Sequence, residues 1–393
     1  MKRLESKIIF TGIVFFLFVF SFSCKRISEP ERKIWTGAKT LAGLTREFGE
    51  PFGIAVKGEE IYVSDGDGGK IFKVFRDGRT ELFTDKLDTP SQIAFDKNGD
   101  LFVADSGSHT IKKIKPTGEI ETIAGTENQS GFRDGNANQT LFNAPVGIAV
   151  LENKIFVADT YNDKIRVIEN GQVSTIAGNT KGFADNFGGE AKFDTPCGLS
   201  IWKDGKVLIA DAGNRRIRIL EPNGKVSTLA GNGNSDLKDG LLSDAEFVQP
   251  VAVSFDEKGG IYIADGNAIR AIGRNIFPSV ETISNDRRGF ADGVLRESRF
   301  NRPSGLAVDK DGNLFIADSE NKTVRVFSGE NFGAEITDEQ KKKLRFTPEE
   351  FRTLQTPRWT YDPPDARRDV AGTLGEIRGE ISDKTDERAW FHN

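Results

Sequence analysis

A ring of six four-stranded antiparallel sheets, an all-β propeller, is the fold class predicted by this chain of 393 residues. Three observations predict it. One passage is written several times over; every copy holds short apolar strands between polar turns; and a strand without a repeat of its own stands before the first copy. The passage "GFADGVLRESRFNRPSGLAV" (289–308) repeats "GFRDGNANQTLFNAPVGIAV" (131–150) and "GFADNFGGEAKFDTPCGLSI" (182–201), with a worn copy, "LKDGLLSDAEFVQPVAVSF", at 237–255.

Aligned on that passage, the chain contains six units, marked by Pro51, Pro90, Pro145, Pro196, Pro250 and Pro303. Each proline opens an apolar strand such as "GIAV" or "GLAV". A second strand ("IYVSD", "LFVAD", "IFVAD", "VLIAD", "IYIAD", "LFIAD") closes on an aspartate 14 or 15 residues after the proline: Asp65, Asp105, Asp159, Asp211, Asp265 and Asp318. Third strands begin at Ile71, Ile111, Ile165, Ile217, Ile269 and Val324, and a fourth reads "IETIAG", "VSTIAG", "VSTLAG" or "VETIS". Four strands per unit with Gly, Asp and Asn turns describe a meander repeated in series. The strands are apolar on nearly every residue, so both faces are covered, as when sheets stack radially. Small residues in the first strands (Gly53, Ala55, Gly147, Ala149) suit a crowded centre. The last unit lacks a fourth strand, and "KTLAG" (39–43) matches the missing text. It is expected to complete the sixth blade, leaving no full-length sheet edge open.

The repeated passage then becomes the connection from one blade to the next. Asp134, Asp185, Asp239 and Asp292 each precede a phenylalanine (Phe142, Phe193, Phe247, Phe300) by eight residues, and each phenylalanine lies three before its proline. Constant spacing in a polar loop implies a defined structure, with Asp accepting turn amides and Phe wedged between blades. Four such loops on one face also form a candidate ligand platform, whose site residues are Arg133, Asp134, Lys181, Asp185, Arg215, Asp239, Arg288 and Asp292.

The runs "P-x-G-[IL]-[AS]-V … [LI]-[FY]-[VI]-A-D-[ST]-x-N-x-x-[IV]-R", clearest at 145–166 and 303–325, resemble the NHL-repeat family over residues 36–329. The resemblance implies a propeller, commonly of six blades.

Outside the repeats, Lys2, Arg3 and Lys7 precede the apolar run 8–20 and then "SFSC", the layout of an export signal over residues 1–23. The segment resembles a bacterial lipoprotein signal, which implies lipidation of Cys24 and a membrane anchor in the cell envelope; ordinary cleavage after Ser23 is the alternative. Residues 24–35 then form a linker. Loss of residues 1–23, with Lys2, Arg3 and Lys7 against Glu5, takes the formal net charge from −5 to −7. That balance, with export, argues against nucleic acid as a partner.

Catalytic groups are few. The histidines are His109 and His392, so a histidine-based triad or metal site cannot be assembled in the propeller. His109 is expected to be a solvated turn residue, Cys197 a small buried residue, and the strand-end aspartates backbone caps. No cofactor is expected. From residue 330 the composition changes to a linker or short helix (330–356) and a proline-bearing tail (357–393). In that tail "AGTLGEIR" (371–378) and "FHN" (391–393) resemble the entry to lysostaphin-type zinc endopeptidases, which makes His392 the first ligand of an incomplete zinc motif. The expectation is a monomeric, non-catalytic propeller binding an envelope protein, peptide or glycan. The alternative is a propeller hydrolase or lyase, or the targeting module of a truncated peptidase.

Overall fold

A computed structural model describes residues 35–273 and 278–329. The signal, Cys24 and the tail with His392 lie outside the described residues. Six antiparallel sheets follow one another along the chain. Blade 1 is Pro51–Lys57, Glu60–Asp65, Lys70–Val74 and Thr80–Thr84; blade 2 is Pro90–Phe95, Leu101–Asp105, Thr110–Ile114 and Ile120–Ala124. Blade 3 is Pro145–Leu151, Lys154–Asp159, Lys164–Glu169 and Gln172–Ala177; blade 4 is Pro196–Ile201, Val207–Asp211, Arg216–Leu220 and Val226–Ala230. Blade 5 is Pro250–Phe255, Ile261–Asp265, Ala268–Ile272 and Ser279–Thr282. Blade 6 is Pro303–Val308, Leu314–Asp318 and Thr323–Ser328, with Gly37–Ala42 as its outermost strand.

The first strand of each blade packs against those of the blades on either side, and the sixth packs against the first. The ring is closed. Ala38 pairs with Phe327 and Thr40 with Arg325, so the orphan strand of the sequence does complete the last blade. Proline suits the start of each first strand because an innermost strand has one edge without a sheet neighbour to receive an N–H.

Cohesion comes from apolar layers between blades. Phe48, Phe142, Phe193, Phe247 and Phe300 each belong to a different one of these layers, and each is almost fully buried. Burial of one such ring is worth about 1.5–3 kcal/mol. The repeated phenylalanine is a wedge, as its spacing implied.

Near the axis the first strands approach so closely that glycine is required. A Cβ on Gly147 would lie 2.0 Å from the Cys197 carbonyl oxygen, and one on Gly305 would lie 2.1 Å from that of Phe52. Blade 2 carries Gln92 at the equivalent place, and its side chain crosses the axis. Its Nε2 donates to the Leu199 carbonyl (2.7 Å), while Oε1 accepts from the N–H of Ile148 (3.1 Å) and of Leu199 (2.9 Å). Innermost strands have unpaired amides along one edge, and this carboxamide satisfies two of them. Phe52 packs against Val146 and Cys197 from the facing blades. The axial space that remains is a cavity of about 10 Å³, the lower limit for a single water.

Two expectations need correction. His109 is a turn residue in the left-handed region (φ 57°) but is buried, 2 % exposed, because its ring is drawn under the next blade to accept a hydrogen bond. Closing the ring also leaves each blade an outer edge. In blades 3 to 6 the preceding connection swings out to cover that edge. Gly135–Asn136 adds a fifth strand to blade 3 and Gly240–Leu241 one to blade 5; single bridges join Phe187 to Lys225 and Gly293 to Ala38. The short connections before blades 1 and 2 make no such pairing.

Candidate functional site: the loop face

Each third strand of blades 3 to 6 carries one arginine with a fully buried side chain: Arg166, Arg218, Arg270 and Arg325. An unpaired cation there would be prohibitively costly, so the surroundings must be explained together. Arg218 donates through Nη1 to Asp211 (2.6 Å), the strand-end aspartate, and through Nη2 to Asp185 (2.6 Å) of the connecting loop and to the Ala184 carbonyl (2.8 Å). Arg166 repeats this with Asp159, Asp134 and the Arg133 carbonyl; Arg325 repeats it with Asp318, Asp292 and the Ala291 carbonyl. Arg270 does so with Asp265, Asp239 and the Lys238 carbonyl. Two phenylalanines hold the guanidinium from its faces: Phe183 and Phe193 stand 4.9 and 5.2 Å from Arg218 Cζ. Phe132 with Phe142, and Phe290 with Phe300, do the same for Arg166 and Arg325.

The carboxylates have further duties. Each strand-end aspartate accepts the N–H of a residue one or two places before the proline that opens its own blade, as Asp211 does from Asp194 (2.9 Å) and Asp318 from Asn301 (2.8 Å). Asn162, Asn214 and Asn321 of the repeated motif clamp the same aspartates and donate to the carbonyls of Gly131, Gly182 and Gly289. The loop aspartates Asp134, Asp185, Asp239 and Asp292 accept the N–H of Thr175, Thr228, Thr282 and Thr40 at 2.9–3.1 Å. Blade 2 has Lys112 in the arginine's place, 3.9 Å from Asp105. Burial pushes Asp105 up to about 7. In blades 3, 4 and 6, where arginine counters the same burial, Asp159, Asp211 and Asp318 rise to about 6.

The other predicted site residues stand apart from this lattice. Arg133, Lys181 and Arg288 are exposed on three different loops, with Lys181 3.2 Å from Asp194. Arg215 is half-buried in the left-handed turn of blade 4 (φ 53°). They share a face and do not converge on one point. Among the described residues the connections before blades 3 to 6 also carry five of the six exposed large apolar side chains: Phe132, Phe183, Phe187, Leu241 and Val294, each 45–61 % exposed. Phe187, Leu241 and Val294 lie where those connections run along the outer blade edges.

At the centre of the same face lies a polar rim that sequence reasoning missed. It is made by the residues before the prolines: Glu50, Thr89, Ala144, Thr195, Gln249 and Arg302. Thr89, Ala144, Thr195 and Arg302 have φ between 45° and 55°, a conformation costly for a β-branched residue. It is held by the blade before: His109 Nδ1 accepts from Ala144 N–H (3.0 Å), Asp163 from Thr195 (2.8 Å) and Asn267 from Arg302 (3.1 Å). Arg302 also pairs with Glu320 at 3.2 Å. Glu50, partly open to solvent, is pushed up to about 8, chiefly by burial; Arg302 opposes the shift, and Glu320, Asp67 and Asp65 add to it. The signal for this rim was present in the text: Phe and Pro recur while the residue before each Pro varies from copy to copy. Cys197 offers no nucleophile, since burial pushes its thiol up to about 12. No group of three or more His, Cys, Asp or Glu is placed to hold a metal among the described residues.

Residues 87–114 and 300–327 match the family model of the NHL repeat. This chain is an NHL-repeat propeller. NHL repeat-containing protein 2 of Bos taurus is 29 % identical over 277 residues, covering 60 % of this chain and 38 % of that protein. The NHL-repeat propeller thus spans well under two thirds of that relative. A protein of unknown function from Bacteroides thetaiotaomicron has the same fold, with a TM-score of 0.61, 18 % identity and coverage of 74 % and 75 % of the two chains. So does an auxiliary nutrient binding protein from Bacteroides ovatus, with a TM-score of 0.58, 18 % identity and coverage of 76 % and 78 %.

Proposed function

We propose that this NHL-repeat propeller is a non-catalytic binding module of the cell envelope, exported by its first 23 residues and anchored through lipidated Cys24. Its binding surface is formed by the four long connections before blades 3 to 6, and its ligand is an envelope protein, peptide or glycan. The observation that carries the reading is the gathering of five exposed apolar side chains on the four long connections before blades 3 to 6. Exposed apolar groups concentrated in this way mark interaction surfaces. The closed axis supports it too, because Phe52 and Gln92 occupy the space where a small substrate would enter. A propeller of this shape is called a nutrient binding protein in Bacteroides ovatus.

Cosedimentation of the purified full chain with isolated cell-wall sacculi, and photocrosslinking from position 187 in intact cells, test the surface. A Phe187→Ser, Val294→Ser variant with an unchanged melting temperature should lose either association; equal association by variant and parent refutes the assignment. For the anchor, Cys24→Ser should move the protein to the aqueous phase of a detergent partition. One observation favours an enzyme instead, namely the raised Glu50 beside Arg302, a candidate proton donor for a hydrolase or lyase. An activity on envelope extracts abolished by Glu50→Gln would establish that reading.

A further inference from the structure

In blades 3 to 6 an outward N–H of the fourth strand belongs to Thr175, Thr228, Thr282 or Thr40 and is capped by a loop carboxylate. These threonines lie opposite Arg166, Arg218, Arg270 and Arg325 in the ladder. The same ladder position is Leu82, opposite Phe72, in blade 1 and Thr122, opposite Lys112, in blade 2. Neither blade has the long connection that would bring a carboxylate to it.

The two open edges differ. In blade 2, Lys112 Nζ donates to Thr122 Oγ1 (3.0 Å) and to Glu127 (2.5 Å), and Thr122 Oγ1 donates to Glu127 (3.2 Å). Charge on an edge strand deters pairing with another chain. In blade 1 the ladder position itself is apolar, and the charge on that strand, Glu81, stands one residue away on the opposite side of the pleat. Leu82 is 53 % exposed and is the one exposed large apolar residue outside the four long loops among the described residues.

We propose that a second copy of this chain covers the outer edge of blade 1, by antiparallel pairing of Thr80–Thr84 with its twofold mate centred on Leu82. The strand reads T-E-L-F-T, and its order suits that symmetry. Leu82 meets itself on the axis, as an isologous contact requires. Thr80 faces Thr84 and Glu81 faces Phe83, so no like charges are directly opposed, and threonine and apolar pairs are favourable across strands. Because the N–H and C=O of one antiparallel residue point to the same side, Leu82 exchanges two hydrogen bonds with its mate. Glu81 keeps Lys73 as its neighbour on its own sheet. This replaces the monomer expected from sequence. It does not rest on the proposed binding face, which lies on other blades.

Sedimentation velocity of the purified full chain in detergent, compared with Leu82→Lys, tests the pairing. The parent should associate in a concentration-dependent way, and Leu82→Lys should sediment as a monomer with an unchanged thermal melt. A parent that remains monomeric at tens of micromolar (roughly the range of weak transient contacts) overturns the proposal, as does a Leu82→Lys protein that still associates. Leu82→Cys provides an independent readout. Its sulfurs would sit on Cα atoms about 5.5 Å apart, within disulfide reach, so mild oxidation should give a covalent dimer where Thr122→Cys gives none. An associating protein whose Leu82→Cys variant fails to crosslink pairs through another surface, and the assignment falls.

Discussion

Arg218 shows how much one buried cation organises. It ties the end of a second strand to the connecting loop, and through Asp185 to the outward amide of Thr228. Arg218→Met removes the cation and strands two carboxylates, so urea unfolding should show a loss of about 3–5 kcal/mol, the cost of breaking a buried pair. Asp185→Ala, whose carboxylate is partly solvated, should cost about 1–3 kcal/mol. Ionisation adds a pH dependence. Asp105 and Glu50 sit at about 7 and about 8 in the folded chain against ordinary values of 3.8 and 4.5. The folded state therefore holds these protons more tightly. Their contribution is complete below about pH 4 and declines as pH rises to about 8, beyond which it is constant. Melting temperature should fall between pH 5 and pH 8.5, and Asp105→Asn should flatten the part of that slope below pH 7. A slope unchanged in Asp105→Asn would place the effect elsewhere.

At the scale of strands and loops, much was legible in the sequence because it is local. Strands announce themselves by apolar runs between Gly, Asp and Asn turns, and Phe142 or Phe193 by a constant distance to proline. The strand Gly37–Ala42 was found by a gap in the last copy. What escaped is non-local. The arginine ending the third-strand motif was visible as text, yet its partners come from a loop some thirty residues earlier, as with Arg166 and Asp134. His109 was misjudged because nothing in "ADSGSHT" shows that the next blade covers it. Gln92 reads as an ordinary polar residue until the ring brings Leu199 across from it. The element-level prediction concerns closure. Thr40→Pro deletes the amide that Asp292 accepts and should cost about 3 kcal/mol or more. Since the pairing joins the two ends of the ring, calorimetry should show one cooperative transition shifted down. A separate early transition limited to blade 6 would mean that the blades melt independently.

For the molecule as a whole, the axis is a structural seam. Gly147→Ala would drive a methyl group into the Cys197 carbonyl and should destabilise the fold by about 1–3 kcal/mol, the range for overpacking. Gln92→Leu leaves the inward amides of Ile148 and Leu199 without an acceptor and should cost a similar amount, about 1–3 kcal/mol, read by denaturant midpoint. If Gln92→Leu proved neutral, the central carboxamide would be a filler and not a clasp.

The strand that finishes blade 6 is also the first part of the propeller to leave the ribosome. Gly37–Ala42 must wait without a sheet to join until Thr323–Ser328 has been synthesised, so five blades can stack before the circle can shut. Through all that time the edge of the newest blade is bare. A chain built this way stays open-ended for nearly its whole synthesis, and it depends on whatever protects an unfinished protein until the earliest strand meets the latest.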